Sequence, residues 1–510
     1  MMSARGKSKS ISTIIQCLDD PKLFGRVEDF SKPSWSAWRT LLKASFGLAM
    51  TDAELTIFTE CTGRDAAPTA PVREGWWICG RRAGKSRMVA IVAAYLACFH
   101  EHTLSVGEVG TVLIVAQDRR SARTIFGYLR DTLHAIPVLK QKIIRETREE
   151  IELDNGVCVE VVACSIGAPR GRTIIAALLD EISVWHTDDA ENPDVEVINS
   201  VKPGMATQPH AMMLVISSPY AKRGALWQAR KRFWAKDDPQ RIVWQAATLK
   251  MNPTVPLRVI EAAFEEDSAK AAAEYSAQFR SDIASFVTQE SVYACVTEGV
   301  RERAPESGIS YHAFVDPAGG SGEDSMTIAI GHRDAKSGMA VLDAIRERRP
   351  KFNPDAVVAE FAALLKTYRV TKITGDHWGG EFVRQPFRNA GILYEKSDRT
   401  KSVIYLESLA ALNSEKLDLL DDQKMIVQIC GLERRTARGG KDSIDHSPGA
   451  HDDVANAVLG VLLLCGGGKS NYIESLKNIG NFGDASIRRI VENEREVCLA
   501  RTWRPYGRAW

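Results

Sequence analysis

Five apolar runs between positions 75 and 218 are too continuous to have a solvent-facing side. They are GWWIC (75–79), TVLIVA (111–116), VCVEVVA (157–163), TIIAALLD (173–180) and AMMLVISS (211–218). Helical patterns such as SRMVAIVAAYLACF (86–99) and RSARTIFGYLRDTL (120–133) fall between some of them. Strands apolar on both faces with helical crossovers predict an α/β fold: a mostly parallel sheet with helices on both sides. A polar helical stretch (261–286) follows, and a second strand-rich pattern starts near 309. It comprises ISYHAFVDPAGG (309–320), SMTIAIGH (325–332), GMAVLDAIRE (338–347), a helical pattern (354–368), VTKITGD (370–376) and an apolar helix opening HDDVANAVLGVLLL (451–464). The expected division is a helical lead-in at 1–70, an α/β unit at 71–296 ending in a helical linker, a second α/β unit at 305–466, and a tail at 467–510.

A chain of 510 residues has room for two to four domains. Its 66 Lys plus Arg offset 65 Asp plus Glu, a net charge of +1, so a polyanionic partner would have to be held by local basic patches. Ten cysteines, none in a C-x-x-C pair, argue against a zinc site or a disulfide framework. The first twenty residues lack an apolar core of signal-peptide length, and the longest apolar stretch, 455–465, is too short for a bilayer. The expectation is a soluble intracellular protein with no membrane partner.

CGRRAGKSR (79–87) lies between the first apolar run and the first apolar helix. A phosphate-binding loop needs that setting, because successive backbone N–H groups and a helix N-terminus then face the anion. Gly80, Arg82, Ala83 and Gly84 would line the loop, Lys85 would reach the β/γ-phosphates, and the Ser86 hydroxyl would ligate Mg²⁺. Cys79 stands where the G-x-x-x-x-G-K-[ST] pattern has its first glycine. Asp180 and Glu181 end a buried run, and open α/β sheets place ligands at that edge. Asp180 would hold Mg²⁺ through water, and Glu181 would polarise the attacking water. Ser217 and Ser218 end a third run and could sense the γ-phosphate; a plain turn explains them nearly as well.

Asp316 and Asp376 end strand patterns in the second half, and Asp452 and Asp453 open its apolar helix. Brought to one sheet edge, they would suit two divalent cations, Mg²⁺ or Mn²⁺, for phosphodiester hydrolysis. By spacing alone, turn capping and the helix dipole explain them more readily. Asp324, in GGSGEDS, is a further candidate of lower weight.

The ordered set GRRAGKS, LIVAQDRRSAR, GAPRGR, ALLDE, VISSP, VDPAGGSGEDSMTIAIG, TGDHWGG and HDDVANA, from about Trp76 to Leu464, resembles the large terminase subunit of tailed bacteriophages. The resemblance implies an ASCE-type P-loop ATPase followed by an RNase H-like nuclease, using ATP and Mg²⁺ to package double-stranded DNA and to cut it. It makes Arg81 the loop arginine that touches the γ-phosphate, and Asp180 and Glu181 the Walker B pair. Ser217 and Ser218 become the coupling motif, and Asp316, Asp376 and Asp452 the metal-binding carboxylates, with Asp453 close by. Expected partners are DNA, a portal or procapsid, a small terminase subunit and further copies in a ring, in the host cytoplasm.

DNA contacts are sought at Arg230–Arg232, at Arg346 with Arg348 and Arg349, and at Arg434, Arg435, Arg438 and Lys441. The closing RTWRPYGRAW (501–510) is a candidate docking tail. A helicase-like or repair-type ATPase-nuclease is the alternative. The acidic pair continues Asp-Glu-Ile-Ser rather than as a DEAD- or DEAH-like box, and no second RecA-like half with its arginine motif is found. A capsid-associated scaffold with a degenerate nuclease is the non-enzymatic rival.

Overall fold

The computed structural model describes residues 12–165, 167, 170–188, 190–376, 380–436 and 442–466, with backbone alone at 380–383. The chain forms two compact units, 1–282 and 283–510. Arg438 and Lys441, in the segment 437–441, and the tail beyond 466 lie outside the described residues.

In the first unit, β1 (Glu74–Cys79), β2 (Gly110–Ala116), β3 (Ile143–Glu146), β4 (Glu150–Leu153), β5 (Val157–Ala163), β6 (Thr173–Asp180), β7 (Met212–Ser217) and β8 (Arg241–Ala246) form one sheet. Their order is β3-β4-β5-β2-β6-β7-β1-β8. Strands from β5 to β8 run parallel, while β3 and β4 add antiparallel at one edge. The parallel strands β1, β2, β6 and β7 are buried nearly throughout, as their composition requires. Their crossovers include the helices Lys85–Cys98 and Arg119–Ala135. The helices Ser36–Ser45 and Asp52–Thr62 insert Trp38, Leu41, Leu42 and Phe58 into the same core as the Lys85–Cys98 helix.

The polar stretch 261–286 is not one helix. It forms the end of Leu257–Glu266, then Ser268–Ser276, then the strand β9 (Ile283–Ser285). The break has a local cause: the Asp267 carboxylate caps the second helix by accepting from the N–H groups of Ala269 and Lys270, and Ala277 turns left-handed at its end.

The second unit carries β10 (Tyr311–Asp316), β11 (Met326–Arg333), β12 (Ala340–Arg348), β13 (Lys372–Gly375), β14 (Leu393–Lys396) and β15 (Leu417–Asp418). They lie in the order β14-β13-β10-β11-β12-β15. β10, β11 and β12 are antiparallel neighbours, whereas β13 joins β10 in parallel. β16 (Leu432–Thr436) and β17 (Asp442–His446) pair as a hairpin that also takes in β9. The apolar helix Asp453–Cys465 lies across β10, β11 and β12.

Candidate functional sites

β7 sits between β1 and β6, so the ends of three parallel strands meet at one sheet edge: Cys79, Asp180 and Ser217. The chain leaving β1 curls tightly, with Arg82 and Gly84 both left-handed at φ 63° and 96°. Only glycine adopts the latter without cost. Three successive loop carbonyls are tied outward. Thr248 Oγ1 donates to Arg81 O at 2.7 Å, Asn252 Nδ2 to Arg82 O at 2.9 Å, and Trp38 Nε1 to Ala83 O at 2.8 Å. The N–H groups of the first turn of the Lys85–Cys98 helix have no intrahelical partner and carry its positive dipole end, which attracts anions. Cys79 replaces the pattern's first glycine without harm, since its side chain packs in the core and burial pushes the thiol up to about 12. Close approach falls instead at Gly80, where a Cβ would lie 2.8 Å from the Thr248 backbone nitrogen.

Lys85 is 6% exposed. Its ammonium donates to Cys79 O (3.2 Å), Gly80 O (3.1 Å) and Ser218 Oγ (2.7 Å), and lies 3.1 Å from Glu181 Oε1. Glu181 is left-handed at φ 50°, its N–H fixed on Ile216 O at 2.7 Å. Its Oε2 accepts from the Ser218 N–H at 2.9 Å and from Ser217 Oγ at 3.3 Å. Lys85, Glu181, Ser217 and Ser218 therefore form one connected group. Asp180 beside them is 6% exposed, and its Oδ1 has no hydrogen-bond partner among the described residues. Burial first, and the Glu181 charge second, push its carboxyl up to about 7 against the pull of Lys85. An orphaned buried oxygen next to a phosphate loop is a fitting place for a hard cation or its bound water. Ser86 is half-buried at the second position of the helix. Arg81 does not join this group: it is 60% exposed and paired with Glu274 at 2.9 Å.

In the second unit Asp316, Asp376, Asp452 and Asp453 share one electrostatic neighbourhood. Burial raises the Asp316 carboxyl well above its ordinary range, the charges of Asp453, Asp376 and Asp452 add to this, and the Asn456 amide works against it. Burial likewise pushes Asp453 up to about 6, although the Ser325 N–H, 2.9 Å from its Oδ2, opposes the shift. Clustered acids that resist ionisation together are a donor set for divalent cations. Asp452 is 4% exposed and is held by Lys401 and Tyr405. Asp376 follows β13, its N–H reaching Val315 O at 3.3 Å. Asp324 lies at the exposed rim of the group, 77% exposed and 3.5 Å from His451 Nδ1, and its charge adds to the upward push on Asp453.

Sequence reasoning missed four residues here: Lys401, Tyr405, Asp445 and His446. Ligand atoms of Asp445, His446 and Asp452 all lie within 4.8 Å of one another. The only cue was an acidic residue and a histidine a few positions before HDD, in SIDHSPGAHDD.

The described basic clusters are largely engaged. Arg230 lies 4.0 Å from the Trp234 ring centroid, Arg346 pairs with Glu302, Arg348 with Glu360, and Arg434 with Asp442. Lys231 is exposed. Of the GAPRGR segment, Arg172 is gripped by both oxygens of Glu160.

No helix among the described residues is long and apolar enough to cross a membrane. No family model matches the chain, and no curated protein does. Among solved structures, the large terminase of bacteriophage HK97 aligns at 13% identity and TM-score 0.35, over 84% of this chain and 99% of that one. A large terminase from a thermophilic bacteriophage, in complex with ADP, aligns at 11% and 0.35, over 83% and 98%. The large terminase nuclease of thermophilic phage G20c with bound magnesium aligns at 13% and 0.30, over 34% and 94%.

Proposed function

We propose that the chain is a large terminase subunit, a DNA-packaging motor that hydrolyses ATP in its first unit and cuts DNA in its second. One observation carries this reading. A lysine following a phosphate loop is joined to a strand-end glutamate in one unit, and four aspartates converge beside the same sheet in the other.

In the motor site the loop and the adjoining helix end take the nucleotide phosphates. Lys85 leaves the carbonyls of Cys79 and Gly80 for the β/γ-phosphates, which frees Glu181 to orient water. Ser86 and Asp180 would hold Mg²⁺, which when bound spreads the charge that develops on the γ-phosphate. Ser217 and Ser218 touch Glu181 and Lys85 from β7, so a change at either group is felt along that strand. Arg81 would have to exchange Glu274 for the γ-phosphate.

In the nuclease site Asp316, Asp376, Asp452 and Asp453 would hold Mg²⁺ or Mn²⁺. Such a cation pair stabilises the attacking and leaving oxygens of a phosphodiester. Double-stranded DNA, a portal or procapsid, a small subunit and a ring of copies in the host cytoplasm belong to this reading.

The test is a pair of assays on the full chain: ATP turnover with and without DNA, and plasmid cleavage with Mg²⁺ or Mn²⁺ against chelator. DNA-stimulated turnover together with metal-dependent cutting supports the proposal; absence of both overturns it.

A further inference from the structure

Asp452 opens the helix Asp453–Cys465 as its N-cap residue, and neither of its oxygens is open. Oδ1 accepts from Lys401 Nζ at 3.2 Å; Oδ2 accepts from the Tyr405 hydroxyl at 2.8 Å and lies 3.0 Å from the same ammonium. The ammonium also reaches Asp445 Oδ1 at 3.3 Å. Lys401 and Tyr405 are four residues apart on the helix Lys401–Asn413, so both arrive from one face. Asp445 and Asp452 belong to the group whose ligand atoms are gathered within cation-binding reach, and a side-chain cation is already bound to both.

We propose that Lys401 is a built-in cation of the nuclease site. Its ammonium takes the place between Asp445 and Asp452 that a divalent ion would otherwise take, and so sets how tightly the site holds metal. The proposal rests on the nuclease reading above. A carboxylate as buried as Asp452 needs a counter-charge. With Lys401 in place, metal must displace an existing partner to reach Asp452, which weakens its binding. Without Lys401, the metal-free protein keeps a buried carboxylate short of charge, and metal relieves that deficit.

The test uses the full chain with Lys401→Met, Lys401→Gln and, as the charge-conserving control, Lys401→Arg. In chelator, the Met and Gln variants should melt a few degrees below wild type. Calorimetric titration with Mn²⁺ alone should show them binding about tenfold more tightly than wild type. Their melting temperature should also rise more on adding Mn²⁺, and Arg should stay close to wild type in both readouts. Unchanged or weaker Mn²⁺ affinity in both neutral variants would overturn the role of Lys401 and leave the nuclease reading standing. A wild type that neither binds Mn²⁺ nor cuts DNA with it would overturn both.

Discussion

Lys85 and Glu181 satisfy each other at 3.1 Å, yet both are held where a nucleotide would separate them. Glu181 keeps a left-handed backbone that a β-carbon makes costly, and its N–H is pinned to Ile216. We expect Lys85→Ala and Glu181→Gln each to lower ATP turnover by at least on the order of 10²-fold; Ser218→Ala, which removes the hydroxyl Lys85 donates to, should have a smaller effect. A coupled phosphate-release assay reads all three. Asp180 supplies a pH signature. Its carboxyl sits at about 7 in the folded chain, against about 3.9 in an unfolded one. The folded state therefore binds this proton more tightly, so the group's contribution to stability is full below about pH 4 and is lost as pH rises through about 7. Denaturant melts across that window should show Asp180→Asn gaining on wild type as pH rises. Parallel pH profiles for the two proteins would refute the burial account. Because the cation requires the ionised form, Mg²⁺-dependent nucleotide binding should weaken below about pH 7 in wild type.

At the scale of elements, the second site depends on how closely the helix Asp453–Cys465 approaches β10. Gly460 makes the approach possible: a Cβ there would lie 2.6–2.8 Å from three ring carbons of Phe314, two residues before Asp316. Gly460→Ala should cost about 1–3 kcal/mol by overpacking. It should also depress DNA cleavage beyond the loss of folded protein, because it pushes Asp452 and Asp453 away from Asp316. Melting curves together with cleavage per folded molecule measure both effects. The buried strands of both units were legible because apolar runs on both faces leave no other solution. The edge strands β3, β14 and β17 were not, since they are short, largely polar and half-exposed. The carboxylates at strand ends could be read because they interrupt apolar runs. Lys401 and Tyr405 could not: they lie in a helical stretch with no distinct polar face, and only the tertiary fold brings them to Asp452. The helical break at Asp267 went unread because a capping aspartate inside a polar helix looks like any other surface acid.

For the whole molecule, the proposed function gives each of the two compact units its own acidic site. Among the described basic side chains, Arg346 and Arg348 now pair on the surface with Glu302 and Glu360 and would have to exchange them to contact DNA. Exposed pairs of this kind are worth little and exchange readily for phosphate. DNA affinity should therefore fall steeply with salt, with a log–log slope that counts the phosphates engaged; a flat salt response by filter binding would remove DNA from the proposal. The most direct test is a crossed comparison of Glu181→Gln and Asp316→Ala in the two assays, ATP turnover and Mn²⁺-dependent plasmid cutting. Glu181→Gln should lose turnover and keep cutting, and Asp316→Ala should do the reverse. If both substitutions abolish the same single activity, or neither affects either, the claim of two chemically separate sites in one chain is contradicted.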